Sequence, residues 1–142
     1  LIDGGHHRLN IGDAVLDLIG LPGIARDDLT AGVLASYPPK PAGSLRIFLS
    51  HYPDHVRRVA ALGPDIFLAG HTHGGQICLP GGIPIIRHDA LPRRYCNGVH
   101  RLDDTGLHTW LIVSRGFGFA GNLPLRLFCP AEVMLLTLRQ AA

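Results

Sequence analysis

The chain is poor in charged residues and in cysteine, and it lacks long apolar runs. Charged residues make up 17% of the 142 residues and the formal net charge is +2, which is too small to indicate a nucleic-acid partner. The three cysteines show no CxxC spacing, so we expect reduced thiols and no disulfide framework. No apolar run reaches the roughly 18 residues that a membrane span needs, and no signal peptide is visible.

Methionine is also scarce, and this bears on where the chain comes from. The single methionine is Met134, so Leu1 is not an ordinary translation start. We therefore expect a longer parent protein, and the sequence assigns no compartment: cytoplasmic and membrane-peripheral locations both stay open. An apolar fraction of 46% is typical of globular proteins. The length fits one domain with a real hydrophobic core, so residues 1–142 are interpreted as a single domain.

Most of the segments that predict regular structure predict strands. Residues 8–20 predict a hairpin, with strands at residues 9–11 and 14–19 around a Gly-Asp turn. A short helix capped by Asp27 or Asp28 is expected to end near Ser36. Later strands are predicted at residues 83–86, 95–102, 107–114 and 132–138, the middle two as a hairpin.

A strand–helix–strand unit at residues 45–69 is the most informative part of this pattern. Residues 45–50 predict a strand, a helix follows from Pro53, and residues 65–69 predict the next strand. Such a unit joins parallel strands by a right-handed crossover. Both strands therefore end at the same edge of the sheet, where open α/β sheets bind ligands.

Three histidines follow these two strand ends. His51 follows the first strand, and His71 and His73 follow the second within residues 70–76, GHTHGGQ. In near-extended backbone, residues two apart project to the same side, so we expect the three imidazoles to converge. Neutral imidazole is a common ligand of Zn, Fe and related ions. The sequence therefore predicts half of a metal site.

Three motifs in this order resemble the C-terminal half of the calcineurin-like metallophosphoesterases, most closely a bacterial branch with a GHTHGGQ motif. They are residues 50–54 (SHYPD), 70–76 (GHTHGGQ) and 114–118 (SRGFG), followed by a Pro-x-Glu-hydrophobic segment from Pro130. The resemblance covers most of residues 45–138. It implies an α/β fold, with the chain forming the strand-rich C-terminal half of a four-layer αββα sandwich.

The resemblance also implies an activity and a set of site residues. The activity is hydrolysis of phosphomonoesters or phosphodiesters at two metal ions, typically Mn, Fe or Zn. In the family pattern His51 and His71 bind one metal and His73 binds the other. Arg115 and Gln76 are candidates for substrate binding, and a purely structural role is an equal alternative for both.

Other motifs of the family are absent from this sequence. Asp-x-His, Gly-Asp-x-x-Asp and Gly-Asn-His-Asp/Glu supply the bridging aspartate, the asparagine ligand and a catalytic histidine, and none of them occurs. Asp17, near a Gly-Asp pair, is a poor substitute. We therefore expect no catalytic residue here, at most one bound metal, and no activity of the isolated chain. The missing N-terminal half of the domain is an expected partner, besides the phosphoester substrate.

Two other function classes stay open. One is a non-catalytic module that uses the same scaffold for binding or assembly. The other is a structural metal protein, in which the three histidines hold a single Zn with a fourth ligand. A nuclease is a weaker alternative, because the chain has no basic stripe or interleaved aromatics. The remaining histidines are expected to be surface or hydrogen-bonded polar residues: His6, His7, His55, His88, His100 and His108.

Overall fold

The computed structural model describes residues 4–23, 29–86, 89–103, 106–121 and 124–139. It shows an α/β protein that is rich in strands and poor in helices. No helix in these ranges is long and apolar enough to cross a membrane. The strands are β1 His6–Ile11, β2 Ala14–Gly20, β3 Leu45–Ser50, β4 Ile66–Ala69, β5 Cys78–Leu79, β6 Ile83–Pro84, β7 Gly98–Arg101 and β8 Trp110–Val113; the helices are α1 Ala31–Ala35 and α2 His55–Arg58, with 3-10 turns at Ala60–Leu62, His73–Gly75 and Arg93–Tyr95.

One six-stranded sheet organises the fold, in the order β1-β2-β3-β4-β8-β7. The four central strands are parallel to one another, whereas the edge strands β1 and β7 pair antiparallel with β2 and β8. The predicted hairpin at residues 8–20 and the predicted parallel pair at residues 45–69 are both confirmed. A separate antiparallel hairpin is formed by β5 and β6.

The core lies on one face of this sheet. Ile19, Phe48, Phe67 and Leu111 are register partners across four neighbouring strands, and each is fully buried. Side chains of both helices pack against this row. Burying one such side chain contributes about 1.5–3 kcal/mol. The opposite face is less covered, since Trp110 there is 44% exposed.

A buried ion pair joins β2 to β3. Asp17 and Arg46 are register partners, both are fully buried, and Nε of Arg46 donates to Oδ2 of Asp17 over 2.6 Å. The same guanidinium donates to the carbonyl oxygens of Leu62 and Pro38. Burial raises the pKa of Asp17, but hydrogen bonds with His6 and Arg46 outweigh it and lower the pKa. Asp17 is thus engaged in contacts that hold the sheet together.

Helix α1 begins later than the sequence pattern predicts. Its N-cap is Thr30, whose side chain accepts the backbone N–H of Val33 over 3.3 Å. A threonine oxygen in this position satisfies one of the N–H groups that the first turn leaves unpaired. The predicted caps, Asp27 and Asp28, lie outside the described residues. The helix ends before Ser36, as predicted.

The predicted strand at residues 132–138 is wrong, because the structure forms no strand there. The apolar residues suit an extended segment, but a strand also needs a hydrogen-bonding neighbour. The segment instead runs along the sheet, where Met134 and Leu136 line a cavity of about 190 Å³ together with Leu68 of β4. Leu135 points away and is 92% exposed.

Candidate metal centre

The ends of β3 and β4 bring two histidines together. His51 follows β3, and His71 comes two residues after β4. The backbone N–H of Gly70 donates to the carbonyl oxygen of His51 over 3.3 Å, which ties the strand ends to each other. Nδ1 of His71 lies 2.9 Å from Nε2 of His51. The structure therefore places these two imidazoles as the topology argument predicts, and their role as ligands stays a prediction.

The spacing of these nitrogens suits two ligands of one cation. Metal–imidazole bonds of about 2.1 Å that meet at a right angle place the ligand nitrogens about 3 Å apart. The Tyr52 ring lies 4.4 Å from the His71 ring and 4.8 Å from the His51 ring, measured between centroids. Burial lowers the pKa of His51, and the charge of His73 lowers it further. Both effects favour the neutral ring of His51, which is the form that binds metals.

The third histidine is oriented differently. Nδ1 of His73 lies 3.1 Å from the carbonyl oxygen of Gly118, in the loop after β8. The expectation of extended backbone between His71 and His73 is wrong, because their φ angles are +65° and +49° and a 3-10 turn follows. Among the described residues, no group of three or more His, Cys, Asp or Glu side chains is arranged to hold a metal ion.

The histidine loop concentrates unusual backbone conformations. Three of the five described non-glycine residues with positive φ are His71, His73 and Gln76. Left-handed backbone is unfavourable for residues with a Cβ, and it persists where the surrounding structure enforces it. At Gly75 the loop backbone lies so close to β6 that an added Cβ would be 2.4 Å from Cβ of Pro84. The loop is thus packed tightly against β6.

Buried polar groups anchor the centre of this loop. The Thr72 hydroxyl donates to the carbonyl oxygen of Cys96 over 2.6 Å and accepts the backbone N–H of Gly74 over 3.2 Å. The carbonyl oxygen of Gly74 accepts hydrogen bonds from the thiols of Cys78 and Cys129, at 3.3 and 3.4 Å. All three cysteines are free and buried, as expected of reduced thiols.

The two candidate substrate-binding residues make structural contacts. Arg115 donates from its backbone N–H to Glu132 over 2.9 Å, and its guanidinium donates to the Asn97 side chain over 3.2 Å. Gln76 is 5% exposed, and its amide pairs with both backbone groups of Ala120, at 2.5 and 3.4 Å. Substrate binding by Arg115 and Gln76 stays a prediction.

Sequence reasoning missed Arg126, which joins the histidine loop to the loop after β8. Its Nη1 donates to the carbonyl oxygen of His73 over 3.0 Å. Its Nη2 donates to the carbonyl oxygens of Arg115, Gly116 and Gly118, at 2.8, 3.2 and 2.7 Å. A single arginine in an apolar segment is not part of any recognisable sequence motif. The one available signal was the glycine-rich loop, whose carbonyl groups need donors.

Comparison with known proteins finds metallophosphoesterases, most of them from bacteria. The chain is 39% identical over 93 residues to the uncharacterized metallophosphoesterase Cj0846 of Campylobacter jejuni, covering 66% of this chain and 22% of that protein. It is 36% identical over 93 residues to the uncharacterized metallophosphoesterase YkuE of Bacillus subtilis, covering 66% and 30%. It is 31% identical over 118 residues to the phosphodiesterase YaeI of Escherichia coli, covering 81% and 40%. No family model and no solved structure matches the chain.

These matches confirm the resemblance that the motifs indicated. The chain is similar to metallophosphoesterases, through the C-terminal portion of those proteins. It spans 22% to 40% of the length of the three relatives. The relatives are thus considerably longer than the segment they share with this chain.

Proposed function

We propose that the chain forms part of a metal-dependent phosphoesterase in which His51 and His71 bind one metal ion. The observation that carries this proposal is the 2.9 Å separation of their ring nitrogens at the ends of two parallel strands. The names of the relatives, metallophosphoesterases and a phosphodiesterase, support the reaction class. Phosphoesters, either monoesters or diesters, are therefore the proposed substrates.

The complete centre is proposed to hold two metal ions in a four-layer αββα sandwich, with His73 as a ligand of the second ion. Mn, Fe and Zn are the candidate metals. When bound, such ions polarise the phosphoryl group and supply a hydroxide nucleophile at neutral pH. The sheet face that carries Trp110 is the proposed contact for the second sheet, because this side chain is 44% exposed there.

The chain's own residues orient this centre. The Tyr52 ring packs on both imidazoles of the His51–His71 pair and limits their rotation. Arg126 fixes the His73 backbone relative to the loop that carries Arg115. The Arg115 guanidinium is a forked donor of the kind that binds phosphate oxygens. The chain lacks the aspartate motifs that would balance two cations, so we propose at most one bound metal and no hydrolysis by the isolated chain.

A single structural metal site is the second candidate function. The His51–His71 pair would supply two of its ligands, and His73 would bind through Nε2, because Nδ1 of His73 faces the Gly118 carbonyl oxygen as the second nitrogen of a metal-bound histidine commonly does. A closed site would be filled by protein ligands alone, whereas a catalytic site keeps a water position open. X-ray absorption spectroscopy of the metal-loaded chain separates the two candidates by counting the ligands contributed by water.

Calorimetric titration with Mn²⁺ and Zn²⁺ tests the ligand assignment. The chain is expected to bind no more than one equivalent. His71→Ala is expected to weaken binding by at least about tenfold, because ligand loss costs no less than the 10–100-fold effect of an outer-shell change. His108→Ala is the matched control, since its side chain is 76% exposed and contacts Asp103. Equal affinity for the chain and for His71→Ala would contradict the assignment.

Hydrolysis of bis(p-nitrophenyl) phosphate tests the activity. The isolated chain with Mn²⁺ is expected to show no turnover above the metal alone. A longer protein that supplies the missing aspartate and asparagine motifs is expected to turn the substrate over, and His73→Ala in that protein is expected to reduce kcat. Turnover by the isolated chain would show that three histidines suffice.

A further inference from the structure

The outward face of the β5–β6 hairpin is apolar, although an exposed hairpin face is normally polar. Cys78 and Pro84 are register partners and are buried. The next pair, Leu79 and Ile83, points to the other side, where these side chains are 51% and 49% exposed. Ile85, two residues after Ile83, is 48% exposed. Antiparallel strands with one solvated face usually alternate apolar-in and polar-out, and here the outward positions are aliphatic.

This apolar face continues onto a neighbouring segment. Ile77 forms a parallel bridge with Leu127, which is 43% exposed. The backbone N–H of Cys78 donates to the carbonyl oxygen of Leu127 over 2.9 Å, and Leu127 donates to the carbonyl oxygen of Gln76 over 3.0 Å. We name the four exposed side chains the hairpin patch: Leu79, Ile83, Ile85 and Leu127. A contiguous exposed apolar patch marks an interaction surface.

Positive charge borders the hairpin patch. Arg93 and Arg94, from the 3-10 turn before β7, line a depression of about 320 Å³ together with Ile83 and Pro84. Both arginines are exposed, and Nη2 of Arg94 donates to the Tyr95 hydroxyl over 2.8 Å. The sequence contains no aspartate or glutamate in the three segments that build this region, residues 71–86, 90–101 and 114–131. The charged residues that line the depression beside the hairpin patch are therefore both basic.

We propose that this face binds the surface of an anionic lipid bilayer. The hairpin patch would enter the boundary between headgroups and acyl chains, while Arg93 and Arg94 would face lipid phosphates, as on other peripheral proteins with apolar and basic surfaces. A second copy of the chain fits less well, because a symmetric contact would place like-charged arginine rims against each other. The proposal does not depend on phosphoester hydrolysis.

The hairpin patch lies next to the histidine loop, so bilayer binding would also position the histidines. Pro84 of the hairpin packs against Gly75 of the histidine loop. Two of the outward residues, Ile83 and Ile85, are the immediate chain neighbours of Pro84. Bilayer binding through this face would hold the His51–His71 pair close to the lipid surface.

Vesicle co-sedimentation tests the proposal. The chain is expected to bind vesicles of phosphatidylcholine with phosphatidylglycerol more tightly than vesicles of phosphatidylcholine alone. Leu79→Gln/Ile83→Gln is expected to weaken binding by at least about tenfold, because two inserted aliphatic side chains are lost. Leu9→Gln/Ile11→Gln is the matched control on edge strand β1, where these side chains are 47% and 60% exposed; it is expected to bind as the unchanged chain does.

Charge variants test the rim separately. Arg93→Ala/Arg94→Ala is expected to remove most of the preference for anionic vesicles, a loss of about tenfold or more at low salt. Arg57→Ala/Arg139→Ala removes the same net charge from two other exposed positions and is expected to keep the preference. Circular dichroism and thermal unfolding confirm that each variant is folded.

Three outcomes would overturn the proposal. One is the absence of vesicle binding by the unchanged chain. Another is equal loss of binding in the hairpin variant and in the β1 control. The third is sedimentation equilibrium that shows self-association abolished by Leu79→Gln/Ile83→Gln without any vesicle binding, which would assign the face to a second copy of the chain.

Discussion

The six-stranded sheet and the histidine loop are each organised around one arginine, and the two arginines have different partners. In the sheet, Arg46 is fully buried and forms an ion pair with Asp17, while ladder hydrogen bonds satisfy the strands. In the loops, Arg126 donates to carbonyl oxygens, including those of His73 and Arg115. The sheet thus combines packing with the buried Arg46–Asp17 ion pair, whereas in the loops one guanidinium bridges carbonyl oxygens of both segments.

Removal of Arg46 has the largest expected effect. Arg46→Leu leaves the fully buried Asp17 without its main cation, and breaking a buried pair in this way costs about 3–5 kcal/mol. The free energy of unfolding in urea measures the loss. Arg46→Leu/Asp17→Leu is expected to recover part of it, because no buried charge remains. A loss below about 1 kcal/mol in the single variant would contradict the buried pair.

Substitution of Gly75 in the histidine loop is expected to have the second largest effect on stability. Gly75→Ala places a Cβ 2.4 Å from Cβ of Pro84, whereas Gly81 has the same φ of +88° and nothing within 4 Å of its added Cβ. Both substitutions place a Cβ on backbone with the same positive φ, so the main difference between them is the overlap with Pro84. We expect Gly75→Ala to be less stable than Gly81→Ala by about 1–3 kcal/mol in chemical unfolding. Equal stabilities would show that the loop shifts without cost.

Arg126→Lys is expected to have a smaller effect on stability and a local effect on order. An ammonium group keeps the charge but cannot donate to carbonyl oxygens on both loops in the fork geometry of Arg126. We expect about 1 kcal/mol less stability and faster amide hydrogen exchange in residues 71–76 and 115–118. Arg101→Lys is the control, since Arg101 donates to the exposed Asp103. Unchanged amide exchange in Arg126→Lys would contradict the role of Arg126 in joining the two loops.

The pH dependence of the ion pair has the smallest expected effect. Hydrogen bonds with His6 and Arg46 lower the pKa of Asp17 in the folded state, despite burial. Its contribution to stability is therefore fully present above the unfolded pKa of about 3.9 and is lost as the pH falls through the lower folded value. Unfolding in urea between pH 5 and pH 2 is expected to show a shallower decline for Asp17→Asn. Parallel declines would show that Asp17 titrates normally.

The sheet was predictable from sequence because its signals are local. Apolar runs with a Pro-led helix between them define two parallel strands, and parallel strands place His51 beside His71 whatever the details of the turn. The orientation of His73 was not predictable, because its left-handed backbone is enforced by packing that the sequence does not show. The partners of Arg126 are carbonyl oxygens, which every residue carries. Residues 132–138 are apolar, but the sequence does not reveal whether a strand lies next to them.

The left-handed backbone at His71 and His73 has a further consequence for the chain. Glycine adopts φ near +50° to +65° without a steric penalty, whereas histidine pays one because of its Cβ. The backbone conformation at both positions would therefore be lower in energy with glycine than with histidine. A loop with glycine at both places would be easier to fold and would present no ring to a cation. The present residues therefore indicate that the chain retains these rings against the preference of its own backbone.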